Sequence, residues 1–106
     1  MEHAVPETDP IVVRARTFVS SYLCDGDSDD EVRGWLRSDA ADRPARRRVE
    51  EGLRALTTVL DEPRFAWYVT WIAEMDANRG LDDPREVHAR AILSEFAGWA
   101  REALKI

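Results

Sequence analysis

The sequence predicts an all-α fold, a single compact bundle of about five helices. Three observations carry this. Apolar residues recur at three- and four-residue steps in five successive stretches. Each stretch opens on aspartate or serine, and all but one has proline in its first turn. No constant-period repeat and no Gly/Ser linker divides the chain, so short loops must join the stretches.

Residues 1–8 hold Pro6 and little apolar character, and are expected to form a flexible tail before a single domain over 9–106. Asp9-Pro10 reads as a cap followed by proline at the first helical position, where the missing N–H is not needed. Ile11, Val12, Ala15, Phe18, Val19, Tyr22 and Leu23 then mark one apolar face, predicting a helix over 10–23 with Gly26 in the break. The β-branched start Ile11-Val12-Val13 would suit a strand, but the later spacing favours helix.

Ser28 followed by Glu31 forms a capping box, and Asp29, Asp30 and Glu31 put negative charge where the helix dipole favours it. The second helix is expected over 28–38, with Val32, Trp35 and Leu36 as its stripe and Trp35 mainly in the core. Gly34 weakens it by about 1 kcal/mol relative to alanine. Asp42-Arg43-Pro44 starts a third helix over 44–60, in which Val49, Leu53, Leu56 and Leu60 keep 4-3-4 spacing.

Asp61-Glu62-Pro63 ends that helix and opens the fourth, 63–78. Its segment Phe65-Ala66-Trp67-Tyr68-Val69-Thr70-Trp71-Ile72 is apolar nearly all round and also has strand-like content. Continuation through Ala73, Met75 and Ala77 to a stop at Gly80 favours a helix, one with neighbours on most sides. Asp83-Pro84, with Glu86 three residues after Asp83, predicts the start of a fifth helix over 84–104. Its apolar face runs through Val87, Ala91, Ile92, Leu93, Phe96, Trp99, Ala100, Ala103 and Leu104. A domain of this size hides about 60–70% of its unfolded surface, enough for one core without metal or disulfide.

Composition narrows the function. Hydrophobic residues make up 44% of the 106-residue chain and charged residues 34%, with 15 Lys+Arg against 21 Asp+Glu for a net charge of −6. That balance argues against nucleic-acid binding, which needs a basic face. The one cysteine, Cys24, excludes an internal disulfide and a CxxC motif, and reads as a packed small residue. No apolar run approaches the roughly 20 residues of a membrane span. The opening residues lack the charged start and apolar core of a secretion signal. A cytoplasmic domain with no membrane role is expected, as a monomer or weak dimer.

Residues 25–31 hold five carboxylates in seven positions: Asp25, Asp27, Asp29, Asp30 and Glu31. Counted as a calcium loop from Asp25, the glycine position is Asp30 and the bidentate glutamate position is Leu36, so both requirements fail. A solvated acidic loop before a capped helix is the plain reading, and an acidic patch for a basic partner is the functional one. Arg46 and Arg47 in the only basic cluster stand four residues before Glu50 and Glu51, which predicts ordinary pairing on a helix face. His3 and His88 lack metal-ligand spacing, and His88 reads as a partly exposed structural histidine. No nucleophile, acid/base pair or phosphate loop is marked, so neither a cofactor nor catalysis is expected. Trp67 and Trp71 share one face of the fourth helix, with Glu74 and Asp76 beside them. Such a face is either core or an aromatic–acidic anchor for a protein.

Three segments taken together carry a family likeness. They are Phe18…Tyr22-Leu23-Cys24-Asp25-Gly26-Asp27, then Asp29-Asp30-Glu31-Val32…Trp35-Leu36, and Arg47-Arg48-Val49-Glu50-Glu51-Gly52-Leu53…Leu56. This order resembles the small helical immunity proteins of bacterial contact-dependent growth inhibition systems. The chain departs from them in its tryptophan-rich fourth helix, and in having Leu23, Cys24 and Gly26 where members often carry aromatics or histidine. The resemblance implies a non-enzymatic protein that binds a cognate toxin domain, commonly a nuclease, and occludes it. An acidic inhibitor would be steered to such a basic partner. Candidate contacts are Asp25, Asp27, Asp29, Asp30 and Glu31 with Tyr22, Trp67, Trp71 and Asp76, and Trp35 is a further aromatic anchor. A regulatory interaction module and a helical bundle that binds a small molecule among its tryptophans are the alternatives.

Overall fold

Asp9 starts the first helix as its sequence predicts: its carboxylate accepts the Ile11 N–H at 2.9 Å, with Pro10 in the first turn. The computed structural model describes residues 6–26 and 28–106, and every regular element among these residues is helical. Helix α1 spans Pro10–Val19 and widens into a π-helical turn, Ser20–Cys24. Helix α2 spans Asp29–Ala41, with the Ser28 hydroxyl accepting the Glu31 N–H at 3.2 Å. Asp42 then ends α2 and starts α3 (Arg43–Asp61), its carboxylate accepting the Ala45 N–H at 3.1 Å. One residue thus serves both helices and forces a sharp turn between them.

The fourth rod has three pitches in succession. Pro63–Phe65 form a 3-10 turn, Ala66–Trp71 form α4, and Ile72–Asp76 form a second π turn. The strand alternative for this segment is thereby excluded. Helix α5 (Arg85–Leu104) completes the bundle. Helix α1 lies along α3, α2 packs on α3 and α5, and α4 rests on α5 and α3. The two π turns touch one another. Phe65, Phe96, Leu36, Leu56, Ile72 and Leu93 fill the centre, and among the described residues no polar or charged side chain is fully buried.

Arginines tie the helix ends. Arg46 donates to the carbonyls of Ala40 at 3.2 Å and Leu104 at 2.9 Å, so one guanidinium serves the negative ends of α2 and α5. Arg90 does the same for Leu60 near the end of α3. The expected pairs Arg46–Glu50 and Arg47–Glu51 are present, both at 3.5 Å. Being exposed, they add little to stability.

Several expectations are corrected. Trp35 is 36% exposed and not mainly in the core. The buried face of α2 is set by Val32, Leu36 and Ala40, and Trp35 lies one step of about 100° round from Leu36. The fourth rod is not enclosed: Trp67 is 70% and Met75 61% exposed. Its buried residues, Phe65, Tyr68, Val69, Ile72 and Ala73, trace a single face at helical spacing. Its stop is Asn78, in the left-handed conformation at φ 55°, and not Gly80. Asp83 does not cap α5, because extended Pro84 occupies the cap position and moves the first turn one residue on. Val87 and Ala91 face outward, and Cys24 is exposed where a packed residue was expected. His88 holds the structural role expected of it, its Nδ1 accepting the Asp82 N–H at 2.8 Å.

Gly34 occupies open helix surface, where an added Cβ would meet only the Arg37 guanidinium at 3.9 Å. Gly34→Ala is therefore expected to stabilise the protein by about 1 kcal/mol, read as a higher urea midpoint at unchanged slope.

Candidate functional site

The position of α4 follows from Phe65, which is fully buried and anchors the first turn. From there a 3.6-residue period buries Tyr68 and Val69, leaves Trp67 and Glu74 exposed, and holds Thr70 and Trp71 half-buried between them, with Trp71 packed against the core. The Trp67 ring stands edge-on to Tyr68 at 4.9 Å between centroids and tilted to Trp71 at 5.2 Å. These two rings flank an otherwise exposed indole. Burial, and then the carboxylates of Glu7 and Asp9, push the Tyr68 phenol above its ordinary pKa.

Ala66, Trp67, Thr70, Trp71, Glu74 and Glu86 line an open groove of about 690 Å³. Its floor is aromatic and its rim carries two carboxylates. Glu74 is paired with Arg85 at 2.5 Å. Glu86 is exposed and has no ion pair among the described residues. The one-residue shift of the α5 start removes Glu86 from the capping role its spacing suggested.

The sequence-derived candidates divide among three places. Trp67 and Trp71 form the groove. Asp76 sits behind it, with a side chain 12% exposed that accepts from Arg16 Nε at 3.0 Å, while the same guanidinium lies 4.5 Å from the Trp71 ring centroid. Asp76 thus orients Trp71 through Arg16 and is not a free surface charge.

The acidic segment is the second place. Asp25, Asp29, Asp30 and Glu31 are exposed, and Asp27 lies outside the described residues. Among the described residues no cluster of His, Cys, Asp or Glu is arranged to hold a metal ion. Arg33 is the cation near Asp29 and Asp30, and its guanidinium donates instead to Glu102 at 2.8 Å. The segment leaves the π turn of α1, which packs against the π turn following α4. Trp67 is eight residues before Met75, about 12 Å along a helix.

Tyr22 is in the third place, away from the groove. It is buried, and its hydroxyl donates to Asp39 at 2.5 Å. Burial first, and then the Asp39 carboxylate, push its phenol well above the ordinary tyrosine pKa. Tyr22 lies at the base of a cleft of about 640 Å³ between α1 and α3, with Val13, Thr17, Arg48, Glu51 and Gly52 around it. Its burial makes it a wall of that cleft.

Glu86 is the groove residue that spacing misread, since its local signal was that of a helix cap. Only the packing of α5 on α4 brings it into the groove that Trp67 lines. Comparison of the chain with models of protein families, with curated proteins and with solved structures finds no match.

Proposed function

We propose that this chain is an immunity-type inhibitor that binds a basic toxin domain in the cytoplasm, a nuclease in the favoured case, and blocks it by occlusion, not by catalysis. The observation that carries this reading is Trp67, 70% exposed yet flanked by Tyr68 and Trp71, on a helix face rimmed with carboxylates. Fixed aromatic side chains that can be desolvated by a partner supply most of the affinity at protein interfaces. The groove is open along its length, which suits a protein surface better than an enclosed small ligand.

Charge supports the same reading. The chain carries −6 overall, and the acidic segment, exposed at Asp25, Asp29, Asp30 and Glu31, holds more carboxylates than one helix cap uses. In this account that segment steers a basic partner and the groove anchors it. No helix among the described residues is long and apolar enough to cross a membrane.

A toxin gene directly upstream of this one is the expected neighbour, and the test is co-expression of its toxic domain with this chain. Cells carrying both are expected to survive and to yield a purified one-to-one complex. Cell death and failure to co-purify would overturn the reading.

Replacing Asp25, Asp27 and Asp30 together by asparagine is expected to preserve the fold, because Ser28 still accepts the Glu31 N–H. Association should slow by about fivefold at low salt, and the difference should shrink once the Debye length falls to roughly 8–10 Å. Stopped-flow association rates at two salt concentrations check this. An unchanged rate at low salt would reduce the segment to a solvated loop.

A further inference from the structure

We propose that the groove beside Trp67 seats one arginine side chain of the basic partner, with the guanidinium on the indole face and Glu86 as its counter-ion. The identity of the partner rests on the function proposed above; the chemistry of the seat comes from a comparison within the chain. At Trp71, the Arg16 guanidinium lies 4.5 Å from the ring centroid and Asp76 holds it at 3.0 Å. That is a complete set of indole, guanidinium and carboxylate. Trp67, one turn earlier and 5.2 Å from Trp71, has an exposed ring on which no cation of the described residues stacks.

The two carboxylates of the groove differ in the same way. Glu74 is engaged by Arg85. Glu86 has no ion pair among the described residues and faces the same groove as Trp67. Around Trp67 the indole and the carboxylate are therefore present, and the missing component is a cation. A cation within about 6 Å of a tryptophan centroid is attracted by the ring quadrupole. The unpaired Glu86 favours a cation there over an anion or a plain hydrocarbon. A planar guanidinium stacks flat on the indole while its edge offers a carboxylate two N–H groups, whereas an ammonium meets the two as a point charge without the flat stack or the paired donors. The seat thus selects arginine over lysine.

The probe is the blocked tripeptide acetyl-Gly-Arg-Gly-amide, with its norleucine and lysine counterparts as controls. Binding is followed by NMR at the Trp67 indole N–H of the full chain. The arginine peptide is expected to shift that signal in a saturable way. The norleucine peptide should bind at least about fivefold more weakly and the lysine peptide about twofold more weakly. Glu86→Gln should weaken the arginine peptide about threefold while leaving the norleucine peptide unchanged. Equal binding of the arginine and norleucine peptides, or no effect of Glu86→Gln, would overturn the proposal. If the neighbouring toxin domain pairs with the chain but the peptides are not discriminated, the arginine seat fails and the inhibitor reading stands. If the arginine peptide binds as expected but no toxin domain pairs, the inhibitor reading fails and the seat stands.

Discussion

Trp67→Ala is expected to weaken binding of the proposed toxin partner by at least about 30-fold, the loss of a central aromatic anchor worth about 2 kcal/mol or more. Stability should fall by about 1–3 kcal/mol, the loss of two ring contacts. The indole is 70% exposed and its folded-state contacts are the edge of Tyr68 and the tilted ring of Trp71, each such pair contributing about 0.5–1.5 kcal/mol at most. Titration calorimetry and thermal unfolding on the same preparation separate the two effects. A fold kept intact with binding unchanged would remove the groove from the interface. Phe96→Ala offers the contrast, because that ring is fully buried against Phe18 at 4.9 Å. It should cost about 3–5 kcal/mol of stability.

Gly52→Ala is expected to destabilise the protein by about 2 kcal/mol even though alanine is the better helix former. A Cβ at Gly52 would meet the Phe18 ring and come within 2.8 Å of its Cβ, so α1 and α3 could not keep their present approach. The same substitution at Gly34, where the surface is open, should have the opposite sign. Urea unfolding of the two variants side by side tests the pair. In a double-mutant cycle, Gly52→Ala should cost less in the Phe18→Ala background, which lacks the Cγ and Cδ1 that the new Cβ strikes. Equal effects at the two glycines would mean that propensity and not packing decides both.

The features legible in the sequence were those set by neighbours within one turn. Asp9 with Pro10, Ser28 with Glu31, and Asp42 with Pro44 each start a helix through a side chain that accepts an N–H two or three residues on. Such contacts need no tertiary partner, so local reading finds them. The Asp83 cap failed because a single extended residue, Pro84, shifted the register of the first turn. Gly80 failed as a stop because the π turn ends sooner and Asn78 can take the left-handed conformation. Trp35 and Val87 look apolar in one dimension but lie at the edges of their helix faces. How wide a face is buried depends on the helices that pack there.

The site divides along the same line. Trp67 and Trp71 on one face followed from helical spacing, as did the exposed carboxylates of the acidic segment. Two features came only from packing. Arg16 reaches Trp71 and Asp76 from α1, 60 positions before Asp76 in the sequence. Glu86 reaches the groove because α5 packs on α4. Gly52 left a fainter signal, a glycine inside an otherwise strong helix, which is characteristic of close approach by another element.

The four tryptophans give the most direct test of the claim that the α4 face holds the partner. Each contributes one indole N–H signal, and the four stand on different parts of the bundle: Trp35 on α2, Trp67 and Trp71 on α4, Trp99 on α5. On titration with the toxin domain, the Trp67 signal should move most and the Trp71 signal with it, while those of Trp35 and Trp99 keep their positions. Movement of the Trp35 signal with Trp67 and Trp71 unmoved would place the interface on the acidic break and α2, and would contradict the account.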